Sequence, residues 1–263
     1  MALRIVLFFI LLTSWFAHAR QIEAVVGWDK PPYVMQDRNS GFEVELVRQI
    51  LSELGHELIP VYVPFGRTVM MVNDRQVEMG LTMSKSHEVD PSILSDTYVI
   101  YQNVAISLQQ SNLALTNLSD LAGLRVLSFQ TASEVLGEAF RSVVPQMSGY
   151  VEVPIQDRQL LMLMSGSVDV AILDRNIFNY MQSHLLPSER EPIAIHELFD
   201  VIPCSVAIHD PVLRRQFNQK LAEFIADGRY QVLLDQFGLV NLLDRLPQYR
   251  ATVIPSPSGS TYP

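Results

Sequence analysis

A single cysteine, Cys204, excludes any internal disulfide. It stands far from the N-terminal region where a lipid-anchor cysteine belongs, and it reads as a buried, unreactive thiol. Basic residues are scarce: 19 Lys and Arg against 28 Asp and Glu leave a formal net charge of -9. That sign argues against nucleic-acid binding and against adhesion to an anionic membrane surface. The six histidines, His18, His56, His87, His184, His196 and His209, include no i,i+4 pair and no cluster with cysteine, so neither a metal nor a cofactor is expected. There is no Gly-x-Ser-x-Gly elbow and no phosphate loop of the Walker type. No catalytic residue is therefore assigned, and the chain is not expected to be an enzyme. Beyond the N-terminal segment, no stretch approaches the ~18 uninterrupted apolar residues of a membrane span.

What the chain does have is apolar residue, 48% of the total, enough for a full core. Its first residues read as a secretory signal. Arg4 supplies a positive start, Val6 to Ala17 form an apolar run too short to cross a bilayer of ~30 Å, and Ala17-His18-Ala19 fits the small-x-small cleavage pattern. Residues 1–19 are expected to be removed, leaving a mature chain one unit more negative.

Apolar runs and helical patterns then alternate. Ile22 to Trp28 reads as a strand, broken by Lys30-Pro31-Pro32. Phe42, Leu46, Ile50 and Leu54 recur every four residues, the stripe of an amphipathic helix. Strands at Glu57 to Val63 and Val77 to Met83 flank a short helix at Arg67 to Asn73. This βαβαβ order implies a parallel sheet with right-handed crossovers. After a long extended run, Tyr98 to Leu108, and a polar stretch, Gln109 to Asn117, the pattern restarts. Strands at Arg125 to Phe129, Tyr150 to Ile155 and Val168 to Leu173 alternate with helices at Ala132 to Arg141 and Asp157 to Met164. A further helix, Arg175 to His184, follows. Ile193 to Ile208 reads as a return crossing. Two helices, Pro211 to Ala226 and Arg229 to Phe237, end at glycine-containing stops. From Pro247 the composition is that of a loose tail.

Several spaced blocks resemble the bacterial extracellular solute-binding proteins of the polar amino-acid type, family 3, over about residues 22 to 240. Pro31-Pro32-Tyr33 with Gly41 to Leu46 is similar to the family's opening loop and first helix. Gly80 to Ser84 with Leu94 to Tyr98 is similar to its central block, and Leu118 to Gly123 to the opening of its second lobe. Gly166 to Asp174 resembles its acidic strand end, and Asp227-Gly228 precedes a terminal helix. The resemblance implies an α/β, two-lobed periplasmic binding protein fold, each lobe a mixed sheet flanked by helices, joined by two crossing segments. Lobe one is expected at 20–108 and 204–246, lobe two with the hinge crossings at 109–203, and a flexible tail at 247–263.

Ligands of open α/β sheets sit beyond the carboxyl ends of the strands, and the candidate residues fall at such ends. In the family the carboxylate at Asp174 meets the ligand's ammonium group, though it also suits the cap of the following helix. Gly80 and Thr82 lie in the segment that holds the ligand carboxylate, or form an ordinary strand-end turn. At His87 the family's amino-acid binders carry an arginine, whose fork histidine does not reproduce; a solvated loop histidine is the alternative. Arg67, at the start of a helix after Pro64-Phe65-Gly66, is placed to compensate, unless it is a plain surface arginine. Trp28, Tyr33 and Phe65 offer stacking surfaces, or are core. Thr131 and Ser133 open the first helix of lobe two, where hydroxyl and N–H groups suit an anion or merely cap the helix.

The resemblance thus implies a monomeric periplasmic protein that captures a small polar or anionic, amino-acid-like solute for the inner-membrane permease of an ABC transporter. Two alternatives stay open: a cyclohexadienyl dehydratase-like enzyme on the same fold, with Glu45, His87 or Asp174 as acid or base, and a ligand-sensing partner of a membrane receptor.

Overall fold

The computed structural model describes residues 20–84 and 86–249, with the side chains of Phe65 and Gln248 excepted. The expected signal segment, and the expected tail from residue 250 onward, lie outside the described residues. Pro247–Tyr249, the start of that tail, form a 3-10 turn from which the Tyr249 hydroxyl donates to Thr97 O at 3.3 Å.

Among the described residues, ten strands form two five-stranded mixed sheets. In chain order the elements are β1 (Arg20–Gly27), α1 (Phe42–Glu53), β2 (His56–Val63), α2 (Phe65–Asn73), β3 (Met79–Met83), β4 (Leu94–Tyr101) and β5 (Asn103–Leu108). Then come β6 (Arg125–Phe129), α3 (Ala132–Val135), α4 (Glu138–Val143), β7 (Gly149–Val153), α5 (Gln156–Met164), β8 (Val170–Asp174) and α6 (Arg175–His184). The chain ends with β9 (Ile193–His196), β10 (Ile202–Ile208), α7 (Pro211–Ala226) and α8 (Arg229–Phe237). The strand orders are β2-β1-β3-β10-β4 and β7-β6-β8-β5-β9. The pairs β1–β2, β1–β3, β6–β7 and β6–β8 are parallel, as the alternation of strand and helix predicts. Each sheet also takes antiparallel partners from the crossings: β10 beside β3 and β4, and β5 beside β8 and β9.

The crossing lies elsewhere than the sequence suggests. Tyr98 to Leu108 is one unbroken extended run, yet Gln102 divides it. β4 pairs in the first sheet, and β5 pairs in the second with Asn103 opposite Asp174. The boundary expected at 108 therefore falls one strand late. No glycine or proline marks Gln102, and both halves are equally apolar, so the pattern carries no sign of the change of sheet. The return runs from β9 through 197–201 into β10, where Pro203 sits opposite Ile100. The helix expected over Ala132 to Arg141 is broken at Gly137, whose φ of +88° ends α3 and starts α4.

Helices cover both sheets, and one apolar cluster runs through both lobes. It joins Ile22, Leu46 and Phe217 of the first lobe to Leu127, Leu163 and Phe178 of the second, by way of Val99, Ile100, Val104 and Ile106 beside the crossing. Among the described residues no helix is long and apolar enough to cross a membrane. The stripe of α1 is buried as predicted at Phe42, Leu46 and Ile50. Its entry depends on Gly41, at φ +113°, a region that L side chains rarely adopt. A Cβ there would stand 2.4 Å from Tyr33 O. The close approach lets Pro32 O and Tyr33 O accept the Phe42 and Glu43 N–H groups, both at 3.0 Å, which docks the loop onto the start of α1. Gly41→Ala is expected to lower stability by roughly 2–4 kcal/mol through strain and backbone overlap. Urea unfolding checks this; an unshifted midpoint contradicts it.

Candidate functional site

The parallel strands of each sheet end on one edge, and the Gln102 crossing joins the two edges. β4 leaves the carboxyl edge of the first sheet, and β5 enters the carboxyl edge of the second, opposite Asp174. The loops after β1, β2 and β3 therefore face the loops after β6, β7 and β8. This is where open α/β sheets hold ligands. A cavity of about 490 Å³ opens between these edges, with Asp29 and Pro31 on one side and Pro154, Ile155, Tyr180 and Met181 on the other.

Asp174 sits at the junction and is buried. Its Oδ1 accepts from Asn176 N at 2.9 Å and Ile177 N at 3.1 Å, which caps α6. The same oxygen accepts from the Tyr33 hydroxyl at 3.1 Å, and Oδ2 accepts from Gln102 N at 3.0 Å. Asn176 extends the network: its amide donates to the Tyr33 hydroxyl at 2.9 Å, and its carbonyl accepts from Val240 N at 2.9 Å. Both Tyr33 and Asn176 are buried. Tyr33, read from sequence as a stacking surface, thus ties the first lobe to the second by its hydroxyl, while its ring lies 4.1 Å from that of Tyr101.

A second buried hub occupies lobe one. Glu43, fully buried in the first turn of α1, accepts from the Thr82 hydroxyl at 2.7 Å and from the hydroxyls of Tyr98 and Tyr101. Lys30 Nζ stands 3.6 Å from Glu43 Oε1 and donates to Tyr101 at 2.8 Å and to Thr82 Oγ1 at 3.4 Å. It also lies 4.8 Å from the Tyr101 ring centre, within cation–π range. Burial, and then the Glu43 charge, push the Tyr98 and Tyr101 phenols well above their ordinary range, so both stay protonated and can donate. Thr82 N–H donates to the Tyr98 oxygen at 3.0 Å, and Thr82 holds a left-handed φ of +60°. For a β-branched residue that backbone costs about 1–3 kcal/mol and persists only where the surroundings over-determine it.

The other candidates divide. Gly80 is buried in β3, and a Cβ there would stand 2.3 Å from Val72 Cγ2, so it lets α2 pack on the sheet. His87 Nδ1 accepts from Ser84 N at 3.1 Å; burial, then the nearby Lys30 charge, lower its pKa, so it rests neutral at pH 7. Trp28 is 55% exposed at the end of β1. Phe65 begins α2. Arg67 is exposed in the first turn of α2, and its side chain has no hydrogen-bond or ion-pair partner among the described residues. Across the cleft, Thr131 N and Ser133 N donate to the Oε2 and Oε1 of Glu152 at 2.7 and 2.8 Å. Among the described residues no group of His, Cys, Asp or Glu is arranged to hold a metal ion.

Sequence reasoning missed Glu43, Lys30, Tyr98, Tyr101 and Glu152. Only Glu43 left a signal: it shares a helix face with Val47 and Ile50, so a carboxylate stands on the buried stripe. Glu45, the acid singled out instead, pairs with Arg48 at 2.6 Å.

Residues 22–240 match the bacterial extracellular solute-binding proteins, family 3. No curated protein matches the sequence. Among solved structures, an ancestral arginine-binding protein bound to arginine is similar at a TM-score of 0.62 and 20% identity, with 84% of this chain and 99% of that one covered. The GluR0 ligand-binding core in complex with L-glutamate is similar at 0.65 and 13% identity, with 84% and 99% covered. A histidine kinase sensor domain with similarity to periplasmic binding proteins is similar at 0.63 and 20% identity, with 84% and 96% covered. At these identities the likeness is one of fold.

Burial pushes the Asp174 carboxyl up to about 6, against the pull of its four donors. A raised acid pKa means that the folded chain holds the proton to higher pH than the unfolded chain, whose value is ~3.9. The stability linked to it is complete below about pH 4 and is lost as pH rises through about 6, an effect of about 3 kcal/mol. Asp174→Asn, which keeps a capping oxygen, is expected to flatten the stability curve over that window. Urea unfolding of both proteins across it is the check, and parallel curves contradict the assignment.

Proposed function

The chain belongs to the bacterial extracellular solute-binding proteins, family 3, and from that premise we propose that it captures a small polar or anionic, amino-acid-like solute between its two lobes. In this reading the protein works in the periplasm. The lobes close by rotation about the two crossings, and the closed form is presented to the inner-membrane permease of an ABC transporter. The observation that carries the proposal is the facing of the two carboxyl edges across Gln102, with exposed Arg67 on the first of them.

Charge accounting favours Arg67 as the anchor. Lys30 stands on the same edge, but Glu43 beneath it offsets its charge. His87 is neutral at pH 7. Arg67 is left as the uncompensated cation among the lobe-one candidates, at the start of a nine-residue helix whose first N–H groups add positive potential. A carboxylate or similar anion is the group such a guanidinium holds best.

The state of the two buried carboxylates supports capture over turnover. Glu43 and Asp174 are engaged by donors from the chain itself, and neither presents an acid or base to the cleft. The likeness to a kinase sensor domain supports a second reading of the partner, a membrane receptor, with the same capture step.

A thermal-shift screen of amino acids, dicarboxylates and polyamines is expected to find a stabilising solute; at ~100 times its dissociation constant a ligand adds roughly 2.7 kcal/mol. For that solute, Arg67→Ala is expected to weaken binding by about 1.5–3 kcal/mol, the scale of a hydrogen bond to a charge. Calorimetric titration decides, and unchanged affinity removes Arg67 from the site.

A further inference from the structure

Glu152 takes up the main-chain N–H groups at the start of α3, which the sequence reading offered to an anion. It is the penultimate residue of β7, and Pro154 and Ile155, just beyond that strand, line the inter-lobe cavity. Each of its oxygens takes one main-chain N–H group from the turn after β6, Thr131 at 2.7 Å and Ser133 at 2.8 Å. Thr131 stands at φ +66°, which turns both N–H groups to one side. The Tyr150 hydroxyl donates to Oε1 at 2.8 Å, and the Tyr150 ring packs edge-on against buried Phe140 with centres 5.9 Å apart. The carboxylate is therefore held by donors from Thr131, Ser133 and Tyr150 while its residue stays partly exposed. Burial raises its pKa, but the Ser133, Tyr150 and Thr131 donors outweigh that and hold it below the usual carboxylate range, so it is ionised at neutral pH.

We infer that Glu152 is a specificity-determining residue that closes lobe two to anions and makes that wall of the cleft negative. The inference rests on the solute-binding reading and deepens it. A solute carboxylate that reaches the second lobe meets a like charge where N–H groups would otherwise receive it. It is directed to Arg67 on lobe one. The end of the solute that faces lobe two is cationic or neutral, and an ammonium group finds Glu152 Oε2, which accepts from Thr131 N. The cleft thus reads charge by direction: anion toward the first lobe, cation toward the second. Dianions are disfavoured.

The test needs no knowledge of the natural solute. The 15N-labelled protein is titrated with acetate, a bare carboxylate, while the Thr131 and Ser133 amide resonances are followed in the wild type, Glu152→Ala and Glu152→Gln. In both variants these resonances are expected to move and saturate, with apparent acetate affinity about tenfold or more above that of the wild type, since a charge-assisted contact no longer competes. In the wild type they should stay in place. The dispersion of the remaining amide resonances reports folding, and the near-isosteric Gln variant covers the case in which Ala disturbs the turn. Equal movement in the wild type overturns the inference, because Glu152 then excludes nothing. Unmoved resonances in both folded variants overturn it as well, because those N–H groups then accept no outside anion. Failure of the solute-binding reading is a separate outcome, read from the thermal-shift screen.

Discussion

Four donors converge on the single buried carboxylate of Asp174, and the relation between the lobes depends on that convergence. Two come from the first turn of α6, one from the Gln102 crossing and one from Tyr33 in the loop after β1. A buried carboxylate is tolerated only where its lone pairs are filled, because stripping water from an unpaired charge costs several kcal/mol. The donors must therefore hold their places. That fixes the end of β8, the point where the chain changes sheets, and the height of the Tyr33 loop above α1. Gly41 completes the constraint from the other side, since it lets the same loop rest its carbonyls on the start of α1. The Asn176 carbonyl then draws in Val240, so segments on both sides of the cleft meet at one buried point.

Glu43 repeats the same physics within lobe one. Three hydroxyls and a lysine surround it, and each hydroxyl is placed to accept as well as donate. Tyr98 accepts from Thr82 N; Tyr101 and Thr82 accept from Lys30. Removing one member of such a buried set leaves an uncompensated charge and costs about 3–5 kcal/mol, far more than a surface pair is worth. The left-handed backbone of Thr82 is the local cost of bringing its hydroxyl and its N–H to the same cluster. The strand end that the family resemblance assigns to ligand carboxylate is thus turned inward here, toward a protein carboxylate.

Much of the fold was legible because period and order report on it directly. The Phe42, Leu46 and Ile50 stripe, the βαβαβ repeats, and the proline that opens α7 with the glycine after α8 each act within a few residues, and pattern reads such effects. The crossing was not legible. Tyr98 to Leu108 satisfies the strand pattern throughout, and what divides it is pairing with β10 on one side and with β8 on the other, which no local signal encodes. The places of the candidate residues in the fold were legible, and so was the capping role of Asp174, but most of their partners were not. Strand ends located Asp174, Thr82, His87, Thr131 and Ser133, yet their hydrogen-bond partners lie 141, 39, 3, 21 and 19 residues away. The His87 partner and the two helix-capping donors of Asp174, Asn176 N and Ile177 N, lie close by in sequence. Arg67 was placed correctly at the start of α2, because that depends only on the turn before it.

These internal partners change how binding energy is distributed in the cleft. Where recognition groups are bare, a solute replaces water on each of them. Here a solute group reaching Asp174, Thr82 or the Thr131 and Ser133 amides would have to displace a protein partner already in place, and so would gain only the difference between two hydrogen bonds, which is small. Under the proposed capture reading, selectivity would fall on groups that keep exposed charge or surface at the rim, such as Arg67 and Trp28 on the first lobe and Glu152 on the second. Separating opposite charges across the cleft also costs less than burying either one, because each stays partly in water until the lobes close. A solute that brings a complementary charge to both walls cancels both desolvation terms on closure, and one that matches a single wall leaves the other charge to be buried alone. Under the proposed reading, closure would thereby favour a two-ended solute over a singly charged one of equal size.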